Sequence, residues 1–195
     1  MLFRSRSRSL RQEIGDLWAA CGLDSEWAPL RGVLLHRPGD ELAASAKDAN
    51  AVQMLAAVDV AAAQAEHDAM ADALRAHGVA VHYIAPEGTV TPNQMFCADL
   101  LFMTPEGLIL GRPASTLRAG EERQVARAVA ALGMPILKGL SGTAVFEGAD
   151  AMWLDSETVI IGHGLRTNLE AIEQVATALD EIGVDALAEI GRAHV

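Results

Sequence analysis

The sequence predicts an α/β protein assembled from a repeated unit of strand, turn, strand, helix and strand. Three observations carry that expectation. Helix-closing glycines recur at Gly78, Gly133 and Gly183, about 50 residues apart, a spacing expected of stacked supersecondary units. Turn signals at Pro105-Glu106-Gly107 and Asp155-Ser156-Glu157 each separate two short apolar runs, as hairpins do. Each hairpin is followed by a stretch of helical spacing and then by another apolar run. Each helix would lie against its own small sheet, and neighbouring units would close on one another.

Along the chain, Met1 to Ser9 alternates Arg and Ser as a solvated basic arm, without the apolar segment of a signal peptide. Leu10, Ile14, Leu17, Trp18 and Cys21 predict an amphipathic helix over 10–21, ended by Gly22. Gly32-Val33-Leu34-Leu35-His36 predicts a strand, closed by Arg37-Pro38-Gly39-Asp40. The polar, Ala-rich stretch 41–51 predicts a surface loop or flap. An Ala-rich helix follows over 58–77, capped by Gly78, then a strand over 79–84. Pro86 to Asn93 marks a loop.

The second unit places its hairpin over 100–111, a helix over 120–132 and a closing strand at Pro135-Ile136-Leu137. The third repeats it, with a hairpin over 151–162, a helix over 168–182 capped by Asn168, and a strand over 184–190. The expected layout is a basic arm and short helix over 1–26, then one domain over 27–195. Its repeats run over about 27–90, 91–140 and 141–195.

Composition narrows the function. At 195 residues and 51% hydrophobic content, the chain can bury one sizeable core. Its 15 Lys and Arg against 26 Asp and Glu give a net charge of −11, which disfavours a phosphate-backbone binder, so no nucleic-acid partner is expected. No apolar run reaches the roughly 20 residues that span a bilayer, so no membrane partner is expected. Cys21 and Cys97 form no C-x-x-C pair, which points to a reducing, cytoplasmic setting without disulfides. No metal or other cofactor is expected. His36, His67, His77 and His82 show no ligand spacing and read as surface or helix-face residues.

The chemistry concentrates in Phe146-Glu147-Gly148-Ala149-Asp150. Two carboxylates three residues apart sit on a glycine turn at the mouth of a hairpin, and Gly164-Leu165-Arg166-Thr167-Asn168 follows the hairpin. That is a polar site at strand ends. The bland alternatives are that Asp99 and Asp150 cap turns, and that Glu147 pairs structurally with Arg118 or Arg166.

Together with Phe96-Cys97-Ala98-Asp99, Arg118-Ala119-Gly120-Glu121 and Gly162-His163-Gly164-Leu165-Arg166-Thr167-Asn168, this motif resembles the superfamily of amidinotransferases, dimethylarginine dimethylaminohydrolases and arginine deiminases. The resemblance runs from about Trp27 to the C-terminus. It implies the pentein fold, a five-bladed α/β propeller, with about three blades present. It also implies a guanidine-modifying activity that uses a cysteine nucleophile, a histidine acid/base and carboxylates that hold the guanidinium. By the same resemblance, Asp99 binds the guanidinium and Glu147 orients the catalytic histidine. Arg118 and Arg166 steady the site or meet the substrate carboxylate, and Asp150 is grouped with the substrate-binding residues. The physical fit is good, because carboxylates bind a planar guanidinium through paired charge-assisted hydrogen bonds.

The chain departs from the family pattern at Ala98, where the family has Arg, and at Gly148-Ala149, where it has Gly-Gly. The catalytic histidine and cysteine belong to later blades. His194 lacks their strand-turn context, and Cys97 reads as a small buried side chain. The implied reaction is hydrolysis of a small guanidino substrate, such as arginine or a methylated arginine, through a cysteine thiouronium. By itself this chain is expected to be inactive, with an open sheet side after the third unit that calls for self-association or missing C-terminal blades. The alternatives are a non-catalytic guanidinium-binding module and a pentein used for interaction, as in the ribosomal anti-association factor. The acidic charge argues against the last.

Overall fold

A computed structural model describes residues 5–190. Residues 1–4 of the basic arm and His194 lie outside the described residues. The described elements are α1 (Leu10–Glu13), β1 (Gly32–Leu35), α2 (Val60–Ala76), β2 (Ala80–Tyr83), β3 (Leu101–Thr104), β4 (Gly107–Leu110), α3 (Glu121–Ala131), β5 (Ile136–Lys138), β6 (Ala151–Asp155), β7 (Thr158–His163), α4 (Leu169–Asp180) and β8 (Asp185–Ile190). They form an α/β fold of three small sheets, ordered β1-β2, β3-β4-β5 and β6-β7-β8.

The second and third units share one topology. An antiparallel hairpin is followed by a helix and then by a strand parallel to the hairpin's second strand. The first unit differs from expectation: β1 and β2 pair in parallel across α2, with no hairpin strand beside β1. Its sequence before Gly32 is Trp27-Ala28-Pro29-Leu30-Arg31, and a proline there removes a ladder donor.

Side-chain alternation gives the hairpin sheets two distinct faces. In β3-β4 the pairs Leu101/Leu110 and Met103/Leu108 face α3, packing with Val125 and Val129. The intervening pair Phe102/Ile109 faces the third unit and joins its core. Trp153 stacks on Phe102 at 5.7 Å, and its indole N–H donates to the Met103 carbonyl at 3.2 Å. In the third unit Ala151, Trp153, Val159 and Ile161 pack against α4, whose Ala171, Ile172, Val175 and Leu179 are buried. Asn168 caps α4, its Oδ1 accepting from the Ala171 N–H at 3.0 Å.

Three local expectations change. The helix expected over 10–21 stops at Glu13, although Ser9 and Gln12 form a capping box at its start. The Glu13 carbonyl accepts from the N–H groups of Asp16, Leu17 and Trp18 in a tight turn, and Gly15 at φ +84° carries the reversal. The flap expected over 41–51 is instead two 3-10 turns, Asp40–Ala46 and Asn50–Val52. Leu42 and Ser45 of the first are buried, and the Ser45 hydroxyl links the Leu42 carbonyl to the Val58 N–H. His36, expected at the surface, is only 6% exposed and lies 3.0 Å from Glu41. Glu41 also accepts from the Gly39 N–H, so one carboxylate organises the whole Arg37-Pro38-Gly39 corner. Among the described residues no helix is long and apolar enough to cross a membrane.

Candidate active site

Two 3-10 turns bring the carboxylates together. Cys97–Leu100 leads into β3 and carries Asp99, while Gly148–Asp150 leads into β6 and follows Glu147. The turns touch backbone to backbone. A Cβ on Gly148 would stand 2.0 Å from the Leu101 carbonyl oxygen and 2.7 Å from that of Ala98, so only glycine permits this approach. Ala149, where the family has a second glycine, is exposed and accommodates its methyl group. The Arg112 and Phe146 backbones exchange hydrogen bonds at 2.7 and 3.0 Å beside the turns and hold the two units in register.

Arg118 reaches this junction from a 3-10 turn, Thr116–Arg118, just ahead of α3. It is 4% exposed, and its three nitrogens are engaged. Nε donates to Glu121 at 2.8 Å, Nη1 to Asp99 at 2.5 Å and Nη2 to the Phe96 carbonyl at 3.3 Å. Glu147 lies 4.0 Å from Nη1 on the other side and accepts from Arg166 at 2.8 Å. Burial opposes the Arg118 charge, yet Asp99 and Glu121 outweigh it and raise its pKa. Arg166 is exposed, and its hydrogen bond to Glu147 raises its pKa too.

Asp150 stands beside this network. It accepts from the Thr167 hydroxyl at 2.6 Å, and Thr167 in turn accepts from the Glu147 N–H at 3.3 Å. The structure thus brings Asp99, Arg118, Glu147 and Arg166 into one chain of ion pairs, and ties Asp150 to it through Thr167. Glu121 and Thr91 complete the cluster and are absent from the sequence-based site. The Thr91 hydroxyl donates to Glu121, and burial pushes the Glu121 carboxyl above its ordinary range. The signal for Glu121 was the Arg-x-x-Glu spacing at a helix start; Thr91 had none.

The charges decide what this cluster can hold. Four carboxylates (Asp99, Glu121, Glu147, Asp150) face two guanidinium groups, Arg118 and Arg166. A surplus of partly buried negative charge favours a cationic, hydrogen-bond-donating ligand. The cysteines offer no activated nucleophile. Burial raises the Cys97 thiol to about 11, and its Sγ donates to the Gln94 carbonyl at 3.5 Å. Burial also raises Cys21. Among the described residues no group of His, Cys, Asp and Glu side chains is arranged to hold a metal ion.

Residues 41–188 match the family model for N,N dimethylarginine dimethylhydrolase, eukaryotic. The chain belongs to that family. It is therefore a member of the pentein superfamily of dimethylarginine dimethylaminohydrolases, arginine deiminases and amidinotransferases. It is 30% identical over 124 residues to the uncharacterised protein YkgA of Bacillus subtilis, covering 64% of this chain and 42% of that protein. It is 28% identical over 131 residues to an N(G),N(G)-dimethylarginine dimethylaminohydrolase of Streptomyces coelicolor, covering 67% of this chain and 50% of that protein. The chain thus spans about half the length of the curated relatives it matches. In fold it is similar to the Pseudomonas aeruginosa dimethylarginine dimethylaminohydrolase solved with citrulline, with a TM-score of 0.72 and 21% identity, over 85% of this chain and 63% of that one.

Proposed function

We propose that this chain forms the substrate-holding part of a guanidine hydrolase of the arginine deiminase and dimethylargininase type. The ligand is a small guanidino compound, arginine or a methylated arginine. Asp99 takes its guanidinium, Glu147 orients a catalytic histidine supplied from outside these motifs, and Arg166, exposed at the rim, meets the ligand's carboxylate. Asp150 supports the pocket from the Thr167 side. Arg118 steadies the pocket, its three nitrogens being engaged by Glu121, Asp99 and Phe96. The observation that carries this reading is the excess of carboxylate over guanidinium around Asp99.

In the proposed reaction a cysteine thiolate adds to the guanidinium carbon, an amine leaves, and water resolves the thiouronium. The raised pKa values of Cys97 and Cys21 support a chain that does not turn over substrate alone, because thiolate is the attacking species. We read residues 27–195 as about three of five blades, an incomplete pentein domain behind the basic arm and short helix of 1–26. The surface supports it. Met152, Ile160 and Leu187 pair in a row across β6-β7-β8 on the face away from α4, and Met152 and Leu187 are each 50% exposed. The Phe102/Ile109 pair, on the corresponding face of the second unit, is covered by the third. The uncovered row fits one more such unit or a second copy of this chain.

Calorimetric titration with L-arginine tests the pocket. Binding is expected in the unsubstituted chain and its loss in Asp99→Ala; unchanged binding in that variant would sink the assignment. The same preparation is expected to release no ureido product and to self-associate in sedimentation. Turnover, or a strictly monomeric species, would refute the corresponding statement.

A further inference from the structure

Glu121 is the least exposed charged group in the ion-pair chain, at 2%. Its two oxygens are divided. One accepts from Thr91, thirty residues earlier, and the other from Arg118 Nε at 2.8 Å. Arg118 is therefore shared between Glu121 on one side and Asp99 on the other.

We infer that Glu121 is a positioning residue that sets the net charge of the guanidinium pocket. When it is ionised, the Asp99–Arg118–Glu121 triad carries one net negative charge and attracts a cationic guanidine. When it is protonated, Arg118 is released to neutralise Asp99 and the triad carries none. This rests on the proposed guanidinium pocket and adds a control to it.

The geometry allows the switch. A cavity of about 390 Å³ is lined by Glu121 together with Thr91, Gln94, Gly120 and Arg123. Asp99, Glu147 and Arg166 do not line it. The groups acting on Glu121 are Arg118 and Thr91, which favour its charged form, and Glu122 on the same helix, which opposes it. Arg123 lies across the cavity, and Cys97 stands nearby as a neutral thiol. Burial dominates this balance and holds Glu121 above the ordinary carboxylate range. Because the ionised form binds the cation, affinity rises with pH through the Glu121 titration, and binding near that pH releases a proton.

The test is calorimetric titration of the full chain with L-arginine from about pH 5 to 8, each point in two buffers of different ionisation enthalpy. The unsubstituted protein is expected to show an affinity step above the ordinary carboxylate range, with proton release on binding at the step. Glu121→Gln mimics the neutral form: its one oxygen can still accept from Arg118, and its amide N–H can donate to the Thr91 hydroxyl in place of the bond that Thr91 now donates. It should bind roughly ten- to fiftyfold more weakly and without the step, as expected for loss of one unit charge near the bound cation. Glu121→Asp should restore the step. A Glu121→Gln variant with wild-type affinity and pH profile would overturn the inference while leaving the pocket intact. Should that variant fail to fold, the unsubstituted protein decides alone, since binding without proton release at every pH also overturns it. Absence of arginine binding at any pH would overturn both this inference and the pocket.

Discussion

Replacing Arg118 with methionine removes the one cation that Asp99 and Glu121 share and that Glu147 faces at 4.0 Å. At an effective dielectric of about 20, a unit ion pair at the 2.8 Å separation of Arg118 and Glu121 is worth about 6 kcal/mol before desolvation. Desolvation of the two ions offsets part of this, and methionine refills the aliphatic space of the arginine stem. Breaking a buried pair while leaving its carboxylate in place costs about 3–5 kcal/mol, and at least two carboxylates are stranded here. Against the usual total of about 5–15 kcal/mol, the variant should be near the edge of folding at neutral pH. Urea denaturation followed by Trp fluorescence and far-UV circular dichroism measures the difference. The deficit should narrow as pH falls toward about 4, because protonated carboxylates no longer need a cation. Arg118→Lys should lie between, since lysine keeps the charge but not the fork that reaches Glu121, Asp99 and the Phe96 carbonyl together. A loss below about 1 kcal/mol in Arg118→Met at pH 7 would refute the view that this network holds the two turns together.

Two further outcomes follow from the same junction. Gly148→Ala should destabilise by about 1–3 kcal/mol or more and weaken arginine binding, because the clashing neighbours of the new methyl are backbone carbonyls at 2.0 and 2.7 Å; Ala149→Gly, at an exposed position, serves as the control in the same melt. Cys97, held neutral with a pKa of about 11, should resist iodoacetamide at pH 8 in the folded protein and react at an ordinary rate once unfolded in urea. Equal rates in both states would show that the thiol is neither buried nor shifted.

Local signals in the sequence were reliable where they act over a few residues. The hairpins at 105–107 and 155–157, the helices ended near Gly133 and Gly183, and the Asn168 cap all depend on short-range backbone geometry. The helix expected over 10–21 failed because its apolar spacing says nothing of where Glu13 directs its carbonyl or Gly15 reverses the chain. The surface segment over 41–51 carries more order than its composition suggests, in two 3-10 turns. Its alanines hide a single Leu42 that the tertiary structure buries. His36 looked like a surface residue because Glu41, five positions on, folds back only once the Gly39 corner forms.

Of the candidate site, Asp99, Arg118, Glu147, Asp150 and Arg166 were nameable from motif resemblance; the structure pairs Asp99 with Arg118 at 2.5 Å and Glu147 with Arg166 at 2.8 Å, brings Arg118 within 4.0 Å of Glu147, and joins Asp150 through Thr167. Thr91 was not, since its contact across thirty residues leaves no trace in local pattern, and Glu121 showed only as an Arg-x-x-Glu spacing. By itself the sequence determined the repeating α/β unit and the acidic charge, because periodicity, turn chemistry and composition are properties of neighbours along the chain, while the carboxylates were named through the family resemblance. Only the tertiary structure decided that the two turns touch at Gly148, that Arg118 is divided between two acids, and that burial raises the Cys97 thiol well above its ordinary pKa. Each of these depends on desolvation and close approach, which arise when segments far apart in the chain are packed together.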